Sequence, residues 1–228
     1  VADRDRLKRE AALRAATLIE SGMVVGLGTG STARYAIEAL GARLREGRLT
    51  NVVGVATSRA TEVQAEALGI PLGPLEPQGV DLAIDGMDEL DPNLDAIKGL
   101  GGALTREKLV ALQARAFVLI GDASKRVSRL GEKAPVPVEV IPFAQRVVAT
   151  ELATFGCTPT LRRDEHGEPL VTDNGNVILD CRFEAPFDAH ELARAFKAIS
   201  GVVEHGLFLG MAELAFVASD EGVLELRR

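Results

Sequence analysis

No apolar stretch in this chain approaches the length of a membrane span, and the N-terminus is charged from Asp3 onward. A soluble, unexported, cytoplasmic protein is therefore expected. Cysteine is nearly missing. Cys157 and Cys181 are too few and too far apart for a disulfide framework or a metal knuckle, so buried reduced thiols are expected. The histidines, His166, His190 and His205, lie far in sequence from the cysteines and from the main acidic loop, which argues against zinc. A basic excess is lacking too. The net charge is −7, which argues against a nucleic-acid partner but not against a small anionic substrate, for which a few local donors suffice. Tryptophan is absent and aromatics are scarce, while Arg and Glu are frequent, a usage that hints at heat adaptation. There is no repeat and no low-complexity segment.

What is present is a chain of 228 residues, 46% hydrophobic, enough for one large domain or two unequal ones. A helical pattern runs over residues 3–21 and ends at Ser21-Gly22. Strands, each nearly all apolar, are expected at residues 23–27, 51–56, 80–84 and 116–120. Helices are expected up to about Arg45, from Arg59 to near Gly69, and over residues 104–115. That alternation implies βαβ units and a Rossmann-like, mainly parallel sheet covered on both faces. After Asp122 the rhythm changes. Residues 125–137 read as a linker. Strand 138–141, helix 143–155, strands 159–163 and 177–182, helix 188–199 and strand 202–204 then follow the ferredoxin-like order. The strand-rich tail, residues 207–226, could rejoin the first sheet. The expected architecture is an α/β domain of residues 1–130 plus 206–228 and a smaller ferredoxin-like α+β domain of residues 131–205.

Gly26-Leu27-Gly28-Thr29-Gly30-Ser31-Thr32 joins a strand to a helix. Such a loop can cradle an anion: glycines let it approach the backbone, the helix N-terminus offers unpaired N–H groups, and Thr29, Ser31 and Thr32 add hydroxyls. The plainer alternative is a tight turn in which Ser31 or Thr32 caps the helix. A dinucleotide fingerprint fails, because the third glycine falls one position early and no acid closes the second strand. A P-loop fails for want of its lysine. The loop suits a small phosphate ester better than a nucleotide.

Residues 85–108 concentrate Asp85, Asp88 and further acids with Lys98, Lys108, a turn at Gly99, Gly101 and Gly102, and Glu107 just inside a helix. Asp91, Asn93 and Asp95 open like an EF-hand, but Ala96 and Gly102 occupy its obligatory glycine and glutamate places. Alone, Glu107 is explained by the helix dipole and Lys98 by solvation. Their meeting with strand-end acids is what suggests proton chemistry on an anionic substrate.

Six segments, at residues 26–33, 85–89, 98–108, 122–125, 137–142 and 171–180, together resemble type A ribose-5-phosphate isomerases. Leu100 departs from a glycine expected in that family. The resemblance implies interconversion of ribose 5-phosphate and ribulose 5-phosphate through a cis-enediol, with no cofactor and no metal, in a homodimer or homotetramer. It implies Glu107 as the base and Lys98, with amides of the Gly99 to Gly101 turn, as enediolate donors. Asp85 would open the ring, and Asp88 would orient hydroxyls or Lys98. The substrate pocket would comprise Thr29, Gly30, Ser31, Thr32, Asp85, Gly86, Met87, Asp88, Lys98, Gly99, Leu100, Gly101 and Lys125, with Lys8 a rival for the phosphate. Two alternatives are another sugar-phosphate isomerase or deaminase of similar fold, and a sugar-phosphate sensor that would leave Glu107 and Lys98 without a use.

Overall fold

A computed structural model describes residues 3–228. In chain order its elements are α1 (Arg4–Ala16), β1 (Val24–Leu27), α2 (Ala33–Arg45), β2 (Val53–Ala56), α3 (Arg59–Ala67), β3 (Val80–Gly86), β4 (Glu89–Leu90), β5 (Ala96–Ile97), α4 (Leu104–Gln113) and β6 (Ala114–Asp122). Then come β7 (Val136–Val140), α5 (Gln145–Ala153), β8 (Cys157–Leu161), β9 (Val177–Phe183), α6 (Ala189–Ala198), β10 (Val202–His205), β11 (Leu207–Phe208), β12 (Leu214–Ser219) and β13 (Gly222–Arg227).

Six strands form a sheet in the order β13-β12-β6-β3-β1-β2, parallel except where β13 meets β12. The tail thus does rejoin the first sheet. Its central strands are mostly apolar because both faces are covered. Leu7, Ala11 and Ala15 of α1 and Ile37 and Leu40 of α2 pack on Val25, Leu82, Ile84 and Ile120. Val110 and Ala111 of α4 pack on Ala83, Phe117 and Leu119 from the other side. Gly26 permits the close crossing of α4, since a Cβ there would stand 2.5 Å from a Val110 methyl. A second, antiparallel sheet runs β10-β7-β9-β8, with α5 and α6 in the expected ferredoxin-like sequence. Its core joins Val138, Val140 and Leu179 to Val148, Leu152 and Phe196. Cys157 and Cys181 are both buried and free, in keeping with the sequence.

Three expectations need correction. The first helix stops at Ala16 rather than Ser21. Thr17 turns its hydroxyl back to Arg14 O (2.7 Å), and the chain continues in tighter turns that still bury Ile19. The third strand runs to Gly86, so Asp85 belongs to the strand and not to the loop after it. The expected linker is an anchored loop: Glu89, fully buried, accepts the Gly131, Lys133 and Ala134 N–H groups at 2.6, 2.5 and 2.6 Å. Glu89 itself lies in a small β11-β5-β4 sheet that sequence patterning did not foresee, because two-residue strands carry no period.

Glu89→Ala would leave three backbone donors without their acceptor. The expected loss is about 3 kcal/mol of unfolding free energy in urea denaturation; a change near zero would show that the loop holds itself.

Candidate active site

The site lies at the carboxyl ends of β1, β3 and β6, where open parallel sheets keep their ligands. Asp85 closes β3 directly beneath Gly28, where a Cβ would fall 2.2 Å from Asp85 Oδ1. That oxygen accepts the Thr29 N–H (3.1 Å) and the Gly86 N–H (2.7 Å). Asp85 Oδ2 faces Lys98 Nζ at 2.9 Å. The same ammonium donates to Gly86 O (2.7 Å) and stands 3.2 Å from Glu107 Oε2. Asp85, Lys98 and Glu107 are 3%, 2% and 4% exposed. Glu107 Oε2 makes no hydrogen bond among the described residues; its close polar neighbour is the Lys98 ammonium at 3.2 Å.

Lys98 is held from both ends. Its N–H bonds Gly206 O (2.9 Å), and its ammonium lies over the Phe208 ring, 5.3 Å from the centroid. Glu107 enters through the first turn of α4. Burial pushes its pKa up to about 8; the Asp85 charge adds to the rise and Lys98 opposes it. Burial foremost raises Asp85 as well, against Lys98. For Lys98, burial works downward, but Asp85 and Glu107 outweigh it and keep the ammonium above its ordinary value. The result is one firm cation between two carboxyls that share a tendency to hold a proton.

A cavity of about 190 Å³ opens on this triad. Thr29, Gly30, Ser31, Thr32, Gly86, Met87, Asp88, Lys98, Gly99, Gly101, Glu107, Lys125 and also Lys8 line it. Both candidate phosphate lysines are therefore present, and Lys8 Nζ donates to Ser31 Oγ at 2.9 Å. No hydrogen bond within the described residues engages the N–H groups of Gly30, Ser31, Thr32, Gly99 or Gly101. Capping by Thr32 is not observed.

At four of the expected residues the structure shows contacts that the sequence did not. Asp85 and Leu100 do not line the cavity. Asp85 Oδ1 is engaged by two amides and Oδ2 by Lys98. The Leu100 N–H is taken by Asp88 Oδ2 (2.9 Å). Leu100 needs no glycine, for its φ is not positive and its side chain is exposed. The Thr29 hydroxyl turns inward to Thr57 (2.7 Å), Ser58 (2.8 Å) and Thr61 (3.1 Å), away from any anion. Lys98 Nζ bonds Gly86 O, pairs with Asp85 Oδ2 and faces Glu107 Oε2. Sequence reasoning missed Arg162 altogether. Paired with Asp180 through Nε (2.8 Å), it donates from Nη1 to Gly99 O (2.8 Å) and Leu100 O (3.0 Å), holding the turn whose amides face the cavity. An arginine leaving a strand carries no signal for this.

Residues 53–222 match the family model described as ribose 5-phosphate isomerase A (phosphoriboisomerase A). The ribose-5-phosphate isomerase A of Deinococcus radiodurans is 54% identical over 226 residues, covering 99% of this chain and 100% of that one. The protein of that name from Roseiflexus castenholzii is 54% identical over 96% of this chain and 94% of its own. Among solved structures, a D-ribose-5-phosphate isomerase in complex with phospho-erythronic acid superposes with a TM-score of 0.96 at 40% identity, over 99% of this chain and 100% of that one. The ribose 5-phosphate isomerase of Plasmodium falciparum gives 0.95 at 41%, over 98% and 99%.

Because folding lifts the Glu107 pKa from 4.5 to about 8, the native state keeps a proton that the unfolded chain releases. The carboxyl's contribution to stability is complete below pH 4.5 and is lost as pH rises through about 8. Glu107→Gln cannot titrate. Denaturation across pH should therefore show the variant gaining on the parent by up to about 1 kcal/mol per pH unit over that window; a constant difference would contradict the shift.

Proposed function

The chain belongs to the ribose 5-phosphate isomerase A family and so interconverts ribose 5-phosphate and ribulose 5-phosphate; we propose that it does so through a cis-enediolate with Glu107 as the proton carrier. The observation that carries this reading is the buried Glu107 carboxyl, ion-paired with Lys98 but with no hydrogen bond at Oε2 among the described residues, in the same cavity as Gly30, Ser31 and Thr32.

The substrate phosphate sits on the Gly30, Ser31 and Thr32 N–H groups at the start of α2, where backbone donors and the helix dipole favour an anion, with Lys8 and Lys125 supplying charge. The sugar then reaches toward Glu107. That carboxylate takes the C2 proton, and the electrons move onto the carbonyl oxygen at C1. The Gly99 and Gly101 amides meet the developing oxyanion already in place, so no reorganisation is needed at the moment of reaction. As Glu107 returns the proton to C1, the proton on the C2 hydroxyl passes to O1, leaving a ketone at C2 and a hydroxyl at C1. A pKa near 8 makes it basic enough to act near neutrality, as general-base catalysis requires. Asp85 is the acid/base that opens the ring, and Asp88 orients the sugar hydroxyls or Lys98.

The division into residues 1–130 plus 206–228 and residues 131–205 belongs to the same reading, supported by a core on the second sheet apart from the two that flank the first, with Ile97, Val127, Leu130 and Leu207 reaching into it. So does a cytoplasmic homo-oligomer. Among the described residues no helix is long and apolar enough to cross a membrane, and Ile141, Phe143 and Val147 present bare apolar surface.

Glu107→Gln is expected to lose about 1,000-fold in kcat in a coupled assay without added metal, while still binding phospho-erythronic acid at near-parent affinity. Near-normal turnover would remove Glu107 as the base.

A further inference from the structure

The segments around Glu139 and Asn174 touch no part of the cavity, yet they converge on the helix that carries Glu107. Glu139 in β7 is fully buried. Its Oε1 accepts from Thr172 Oγ1 (2.9 Å), Asn174 Nδ2 (3.1 Å) and Asn176 Nδ2 (2.9 Å). Its Oε2 accepts from Thr105 Oγ1 (2.5 Å), two residues before Glu107. Arg106, the next residue, donates to Asn174 Oδ1 (2.9 Å) and Asp173 O (3.1 Å). Both residues ahead of Glu107 are thus gripped from the second sheet.

A carboxylate buried among neutral donors is a costly way to fill a core, and an apolar side chain would stabilise at least as well. What it supplies is direction. Ala103 precedes α4 with no side-chain cap, so the first turn lacks the usual local restraint. We propose that Glu139, through Thr105, is a positioning residue for Glu107: it sets the first turn of α4 so that Oε2 keeps its place beside Lys98 and its line into the cavity. The proposal rests on Glu107 carrying the proton. Since Glu139, Thr105 and Asn174 line no part of the cavity, their loss falls on turnover and not on binding.

Thr105→Val keeps the shape and removes the hydroxyl. The next turn of α4 stays anchored, because Lys108 bonds Glu204 (2.9 Å) and His205 O (2.5 Å) independently. The expected result is a fall in kcat on the order of 10-fold, with KM for ribose 5-phosphate within about two-fold and most of the rate restored by Thr105→Ser. Should Thr105→Val not fold, Asn174→Ala at the exposed end of the network is expected to show the same loss in kcat alone. Unchanged kcat, a loss confined to KM, or failure of the serine to rescue would overturn the proposal. Normal kcat in Thr105→Val beside an inactive Glu107→Gln would remove this inference alone. Full activity in Glu107→Gln would remove the reading beneath it.

Discussion

One ammonium, that of Lys98, keeps two carboxyls together in a space nearly closed to water. Its attraction for Asp85 and Glu107 acts in a medium where charges are weakly screened, and the same medium makes each carboxylate expensive to ionise. The three groups carry two negative charges against one positive when fully ionised, so the least costly relief is a proton on one acid. Glu107, with no hydrogen bond at Oε2, takes it more readily than Asp85, which two backbone amides steady as an anion. A group that holds its proton loosely near neutrality is what proton transfer between adjacent carbons requires.

Much of the fold can be understood as keeping that ammonium in place. Gly206 must be glycine because a Cβ would stand 2.2 Å from Lys98 O. Phe208, two residues on in β11, offers its ring to Lys98 and Lys108 alike. Gly28 leaves room for the Asp85 carboxylate, and the Thr29 N–H bond to Asp85 ties the phosphate loop to the triad. The second sheet contributes by reach: Arg162 holds the Gly99 turn, and Glu139 holds the start of α4. Catalytic groups and their supports thus come from both sheets, although every charged member of the triad belongs to the first half of the chain.

The parallel core was legible because its strands are mostly apolar and its helices are periodic, and both signals survive burial. The ferredoxin-like sheet was legible from element order. The β4, β5 and β11 strands were not, since pairing between distant dipeptides is a tertiary event. At the site, residue types pointed to Glu107, Lys98 and the glycine loop. Their orientation did not follow. A hydroxyl at Thr29 reads as an anion donor until Thr57, Ser58 and Thr61 are seen to capture it, and Asp85 reads as a free acid until its partners are counted. Sequence shows which groups a loop can offer; packing decides which of them remain unspent.

The proton itself can be located. Neutron diffraction from crystals grown in deuterated buffer, one set mildly acidic and one alkaline, would show where exchangeable deuterium sits in the triad. The account predicts a deuteron on Glu107 in the acidic set, none there in the alkaline set, and three on Lys98 in both. A bare Glu107 at both conditions, or a Lys98 carrying only two, would contradict it.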